Sequence, residues 1–312
     1  MLNQYCAEKF ILIGLSSDPN LQVVYFLTIL VVYLITLLGN LLLISVVQIN
    51  PKLHTPMYFF LSNLSVIDLC FSSSIIPTLL INTLSKDTSI SLHGCAAQMF
   101  FSLVLGATEC FLLALMAYDR FAAICKPLHY NSIMNKNLCS GLALSAWSGA
   151  VVNATIHVIL TFQLPFCRSH HVNHFFCEMP PLLRLSCKDT RLNELVMYVS
   201  AAILCVCAFL LILISYVRII TTILKISSSQ GRRKAFSTCT SHLTVVTLFY
   251  GTIMFIYLRP RSSFSETDKA VSIVYTAITP MLNPIIYSIR NKDVKSSIVK
   301  YILRRSNFIN KC

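Results

Sequence analysis

Seven stretches of this chain are long and apolar enough to cross a lipid bilayer, and only two acidic or basic residues interrupt them, Asp68 and Glu109. The stretches cover 21–49, 57–85, 92–117, 137–167, 195–217, 235–258 and 270–289, where one helical crossing needs about 20 apolar residues. A backbone in lipid has no water to bond, so such segments fold as helices that close their own hydrogen bonds. The expected fold is therefore an all-α membrane protein, a seven-transmembrane helix bundle forming one domain over 1–312. Residues 1–20 precede the bundle, 21–289 form it, and 290–312 are a tail. Only 12% of residues are charged, against about 25% in soluble domains, and mean hydropathy is +0.70. The first apolar run is too long for a signal peptide and has no charged leader or cleavage site, so it is expected to stay as a span.

Charge sets the orientation. With the N-terminus outside, the inner loops and tail hold 16 of the 25 basic residues against two acids, Asp119 and Asp293, while the outer segments hold nine basic and eight acidic residues. Lys and Arg accumulate on the cytoplasmic side, so the N-terminus is expected outside and the C-terminus inside. The net charge of +13 is then a membrane asymmetry and implies no nucleic-acid partner. In 291–305, Val294, Ile298, Tyr301 and Ile302 recur among basic residues, the spacing of a short amphipathic helix on the membrane surface. Cys95, Cys167, Cys177 and Cys187 fall on the outer side, where disulfides persist. Four cysteines allow three pairings, and the residues alone leave the choice open. With no internal repeat, HExxH motif or room for a soluble catalytic domain, neither a transporter built on inverted repeats nor an enzyme is expected.

Several motifs stand in order along these spans. Gly39-Asn40 lies in the first, and 56–65 (PMYFFLSNLS) enters the second. Residues 116–130 (MAYDRFAAICKPLHY) close the third; Ser215-Tyr216, 234–243 (KAFSTCTSHL) and 280–291 (PMLNPIIYSIRN) follow. Together they resemble the rhodopsin-like G-protein-coupled receptors, and within them the tetrapod-type odorant receptors, over nearly the whole chain. Two departures are visible: Phe121 replaces a customary Tyr, and Asn3-Gln4-Tyr5 is not a glycosylation sequon.

The resemblance implies roles for particular residues. Asp119 and Arg120 would form a resting lock that releases Arg120 to a heterotrimeric G-protein of the stimulatory olfactory type. Tyr216 and Tyr287 would stabilise the open form, His242 the closed one, and Asn283-Pro284 would break the last helix as an activation switch, since Pro284 donates no backbone bond. Cys95 would pair with Cys177, leaving Cys167 with Cys187. Glu109 lies 11 residues before Arg120, about 16 Å up the helix, near mid-membrane. Ionisable groups there are costly and functional, and Asp68 and Glu109 cannot both stay charged without help. Either they share a proton or, as the resemblance favours, they hold sodium with Asn40 and Asn283. No organic cofactor is expected.

Gly106 lies 14 residues before Arg120, roughly 21 Å along the axis, so Ser102, Leu103, Gly106 and Ala107 are expected to line a ligand cavity in the outer third. By resemblance His157, Ser200, Ala201, Leu204, Tyr250, Ile253, Met254, Tyr257, Ile273 and Thr276 complete it. This set is mostly aliphatic, with a few hydroxyls and one imidazole. Ser102 stands where amine receptors place an acid, so an ammonium ligand finds no counter-ion on the spans. The last window holds no Lys for a retinal Schiff base. The implied ligand is a small, mostly neutral volatile odorant and the location a multi-pass plasma-membrane one. The rival reading is a same-fold chemosensory receptor for a non-olfactory metabolite.

Overall fold

A computed structural model describes residues 9–16, 18–85, 87–257, 266–290 and 294–299. Helix α1 covers Pro19–Ile49, α2 Pro56–Leu84, α3 Leu92–Cys125 and α4 Lys136–Phe162. Their starts follow from capping chemistry. The side chains of Asp18, Ser91 and Asn135 accept from the backbone N–H groups of Asn20, Gly94 and Leu138, groups that have no partner within the helix. Pro19 and Pro56 occupy first-turn positions, where the missing N–H costs nothing. Helix α5, Arg191–Leu224, contains a π-turn at Ala202–Val206. Helix α6 covers Ser229–Tyr257. Helix α7 joins Glu266–Ile273, a π-turn Val274–Ile278 and Thr279–Arg290.

Six of these helices are long and apolar enough to cross a membrane. Helix α6, with 29 residues, is more polar, yet its polarity is consumed locally. Thr240, Thr244, Thr247 and Thr252 each donate to the carbonyl four residues back, at 2.8–2.9 Å, which satisfies the hydroxyls without breaking the helix. The helices also outrun their apolar windows: α3 continues to Cys125 and α6 starts at Ser229, because amphipathic turns prolong a helix past the apolar stretch. Residues 294–299 are helical, and Asn50 donates to Ser297 at 2.6 Å. The rest of the 291–305 segment lies outside the described residues.

The all-α expectation needs one correction. At the end of the bundle where α3 begins, β1 (Lys9–Leu12) pairs antiparallel with β2 (Ser89–Ser91) and parallel with β3 (His171–Val172). Strands of two to four residues are too short to show alternation in sequence. Their inner residues Phe10, Leu12 and Val172 are buried with Cys95, Met99, Cys177 and Met179 in a second apolar core. Disulfides Cys95–Cys177 and Cys167–Cys187 fasten this lid, and the Cys177 N–H donates to Gln98 Oε1 at 2.9 Å while Gln98 donates to the Ser74 carbonyl at 2.9 Å. Lid, α3 and α2 are thereby tied together.

Helices α1 and α7 approach closely at one point. A Cβ on Gly39 would lie 3.1 Å from Pro284 Cγ, whereas one on Gly141 meets nothing within 4 Å. Small residues permit such approaches in membrane bundles. Gly39→Leu should therefore cost about 1–3 kcal/mol by overpacking and Gly141→Ala less than about 0.5 kcal/mol, both read as thermal unfolding of the solubilised protein.

Candidate functional site

Beneath the lid, α2 to α7 enclose a cavity of about 150 Å³, a volume comparable to one that holds benzene in an engineered core. Ser102, Leu103, Gly106, Ala107, His157, Ser200, Ala201, Leu204 and Ile253 line it. Four other expected residues, Tyr250, Met254, Ile273 and Thr276, do not share the wall. Tyr250 stands behind it, its hydroxyl 3.1 Å from Cys110 Sγ. Met254 is 39% exposed, one residue and so about 100° round the helix from Ile253. Ile273 packs half-buried against the core, and buried Thr276 donates to the Ser272 carbonyl at 2.7 Å. The Tyr257 side chain lies outside the described residues.

The wall also holds residues that sequence reasoning missed: Phe71, Met99, Glu109, Cys110, Asn153, Met197, Cys205, Phe249 and Tyr275, with Phe176, Glu178, Met179 and Pro180 from the lid. A helical-face argument would have found several. Met99 precedes Ser102 by three residues, Asn153 precedes His157 by four, Met197 precedes Ser200 by three and Phe249 precedes Ile253 by four, all same-face spacings. The lid residues have no such signal.

Polar groups punctuate the apolar wall. His157 Nε2 lies 2.8 Å from Ser200 Oγ, and Ser200 donates to the Met197 carbonyl at 3.0 Å. In the lid, the Tyr275 hydroxyl donates to Glu178 Oε1 at 3.2 Å, and His174 Nε2 lies 3.2 Å from Ser272 Oγ and 3.6 Å from Glu178 Oε2. That last spacing suits an ion pair, but burial opposes charge on both groups. Burial, against the Tyr275 hydrogen bond and with Asp268 adding to it, pushes the Glu178 carboxyl up to about 7. Burial and then Lys269 push the His174 imidazole down to about 3.

Deeper in the bundle, Asn283 Nδ2 donates to both oxygens of buried Asp68, at 3.1 and 3.0 Å, and also faces Glu109. Asn40 donates to the carbonyls of Thr36 and Pro280. Glu109 Oε1, Asn40 Oδ1 and Asn283 Oδ1 are buried without a hydrogen-bond partner. Oxygen atoms are the donors a hard cation prefers, so these side chains fit such an ion. Among the described residues, no group of three or more His, Cys, Asp or Glu gathers as a metal site.

At the opposite end, three helices meet in one polar joint. His242 Nε2 lies 3.0 Å from the Leu113 carbonyl and Nδ1 lies 2.8 Å from the Tyr216 hydroxyl. A carbonyl only accepts, so Nε2 carries the proton and Nδ1 accepts from Tyr216. The Tyr287 hydroxyl is buried and unpartnered. The expected Asp119–Arg120 pair is corrected by the geometry: Asp119 Oδ1 instead accepts from the Tyr130 hydroxyl at 2.7 Å, and no Asp119–Arg120 ion pair stands among the described salt bridges. Consecutive helix residues point in different directions and do not face each other.

A cavity beneath a lid at one end and a three-helix joint at the other describe a membrane receptor, in which occupancy at one end biases helix packing at the other. Comparison with known proteins narrows that class. The family model described as olfactory receptor matches residues 29–305. Olfactory receptor 5AP2 of Mus musculus is 51% identical over 295 residues, covering 94% of this chain and 93% of its own. Olfactory receptors 5B21 and 5B12 of Homo sapiens are 51% and 50% identical over 303 residues, each covering 97% of this chain and 98% and 96% of their own. The chain belongs to the olfactory receptor family. It is a multi-pass plasma-membrane G-protein-coupled receptor that senses odorants, and it is not an enzyme.

The lid titrations have opposite signs. Glu178 holds its proton more tightly when folded, so its contribution is complete below the ordinary value of 4.5 and is lost as pH rises through about 7. His174 contributes above its ordinary 6.5, and that contribution is lost as pH falls toward about 3. Thermal stability of the purified protein should therefore fall as pH rises from 6.5 to 8, and Glu178→Gln should flatten that fall.

Proposed function

We propose that this receptor takes small, mostly neutral volatile molecules into the cavity beneath the lid and activates a stimulatory, adenylyl-cyclase-coupled heterotrimeric G-protein at the Arg120 end. The observation that carries the reading is the shared wall: nine residues from α3, α4, α5 and α6, all expected to bind ligand, face one apolar cavity. The charge asymmetry puts the lid and N-terminus outside and the basic tail inside, with 291–305 as a surface helix following the single bundle domain of 21–289.

In this scheme Tyr216 and His242 hold α5 and α6 to α3 at rest. Outward movement of α6 breaks their joint, frees Tyr216 to meet the unpartnered Tyr287 hydroxyl, and exposes Arg120 to the G-protein. Asn283-Pro284 supplies the flexible point in α7. Asp68 and Glu109 would hold sodium with Asn40 and Asn283, the ion supplying positive charge between two acids that otherwise cannot both ionise.

Cyclic AMP production in cells expressing the chain with the stimulatory olfactory G-protein, screened with neutral volatiles, should rise with dose and vanish in Arg120→Ala. His242→Phe removes the joint from the resting form at ~1 kcal/mol or more while leaving the Tyr216 hydroxyl to the open form, and should raise basal signal roughly five-fold; unchanged basal signal removes the joint from the scheme. For the ion, replacing choline with sodium should raise the unfolding temperature of the wild-type protein and leave Asp68→Asn unmoved. Equal behaviour of the two proteins would leave the acids sharing a proton.

A further inference from the structure

The cavity is acidic as well as apolar. Glu109 of α3 and Glu178 of the lid both reach its wall, and among the described residues no Lys or Arg does. Glu109 apart, which lies seven residues and about 10 Å along α3 from Ser102, the helices offer no counter-ion to this wall. The lid supplies one, because the Cys95–Cys177 disulfide anchors the residue immediately before Glu178 to α3.

Both carboxylates retain accepting capacity. Glu178 Oε1 takes the Tyr275 hydroxyl at 3.2 Å, while His174 Nε2 stands 3.6 Å from Oε2, beyond hydrogen-bond length. Glu109 is only 8% exposed, and its Oε1 is buried with no hydrogen-bond partner. A ligand beside Glu178 meets an unused acceptor, and among the described residues no Lys or Arg lines the wall to compete for it. Lys269, the nearby base of α7, donates to the Gly14 carbonyl at 3.4 Å. The His157–Ser200 pair on the far wall is already internally bonded.

We propose that the cavity is a site for small aliphatic amines, with the Glu178 carboxylate as the ion partner of the ligand nitrogen and the alkyl body against Met99, Leu103 and Ala201. The inference rests on the reading that this cavity is the odorant site, and it narrows the ligand class. An ammonium brings up to three N–H donors, and charge-assisted bonds of this kind are roughly twice as strong as neutral ones. In water near neutral pH an alkylamine arrives as its ammonium, because such amines ionise at about 10.4 as Lys does. Burial raises the Glu178 carboxyl to about 7; where it is still protonated its O–H bond breaks and the proton leaves to water, so that an ammonium–carboxylate pair of zero net charge remains in the low-dielectric site.

The test is thermal unfolding of the purified full-length receptor with isobutylamine and with isobutanol, which match in shape and differ in the basic nitrogen. Isobutylamine should raise the unfolding temperature of the wild-type protein at concentrations where isobutanol does not. Glu178→Gln should weaken its apparent affinity at least ten-fold, and Glu178→Asp should restore part of it. If Glu178→Gln fails to fold, Tyr275→Phe decides: removing the phenol that shares Oε1 should leave amine affinity intact or tighter. Equal shifts from amine and alcohol, no amine shift, amine affinity kept in Glu178→Gln, or amine affinity lost in Tyr275→Phe would each overturn the proposal. Cyclic AMP is not the readout, so failure of G-protein signalling and failure of amine binding are seen separately.

Discussion

Inside a bilayer there is no water for a stranded polar group, and that requirement organises this chain from end to end. Hydroxyls on α6 turn back onto their own helix. Asn40 and Asn283 cross between helices, to the Pro280 carbonyl and to Asp68. Against this economy the exceptions stand out. Among the described residues, unpartnered buried atoms include Glu109 Oε1, Asn40 Oδ1 and Asn283 Oδ1 at mid-bundle, and Arg120 Nε and Tyr287 Oη toward the other end. A membrane protein keeps such costly groups where a ligand, an ion or a second conformation supplies the missing partner.

Helix α3 places those exceptions in mechanical series. Glu109 on the cavity wall and Leu113, whose carbonyl receives His242, are four residues apart, about 6 Å along the axis. Helix α6 makes the matching contacts, with Tyr250 against Cys110 and His242 against Leu113. The same two helices therefore form the back of the cavity and the joint below it. A ligand that displaces Cys110 or Tyr250 acts on the pairing that holds His242, with no long relay between them.

Much of this was legible in the sequence, for reasons that differ by element. The spans were readable because lipid imposes a length and a composition, and the motifs at 215–216 and 234–243 named two residues of the joint, Tyr216 and His242. Ser102 to Ala107 were placed by counting along one helix. Met254 failed because a single-residue step leaves the face. Asp119 failed because its partner Tyr130 lies in the short helix Tyr130–Ile133, which carries no pattern of its own. Glu178 was invisible as a wall residue, since only folding of the segment between α4 and α5 over the bundle brings it there. The strands were missed for the same reason: β1 pairs with segments about 80 and 160 residues away.

The wall that results constrains selectivity. Met99, Met179 and Met197 line the cavity with Leu103, Leu204 and Ile253, and methionine side chains adapt to irregular shapes. A soft wall discriminates poorly by size, because one methylene in an apolar site is worth only ~1–3 kcal/mol. Polar groups discriminate more sharply, since a ligand that leaves them unpaired forfeits their full desolvation. Were ligands to occupy it, ranking among those of similar bulk would fall to the few groups that retain unused acceptors: Glu109 Oε1 and Glu178. Where the lid covers these groups their interactions strengthen, since polar contacts gain as the local dielectric falls. A shallow open groove with the same residues would bind the same molecules, with far less distinction between them.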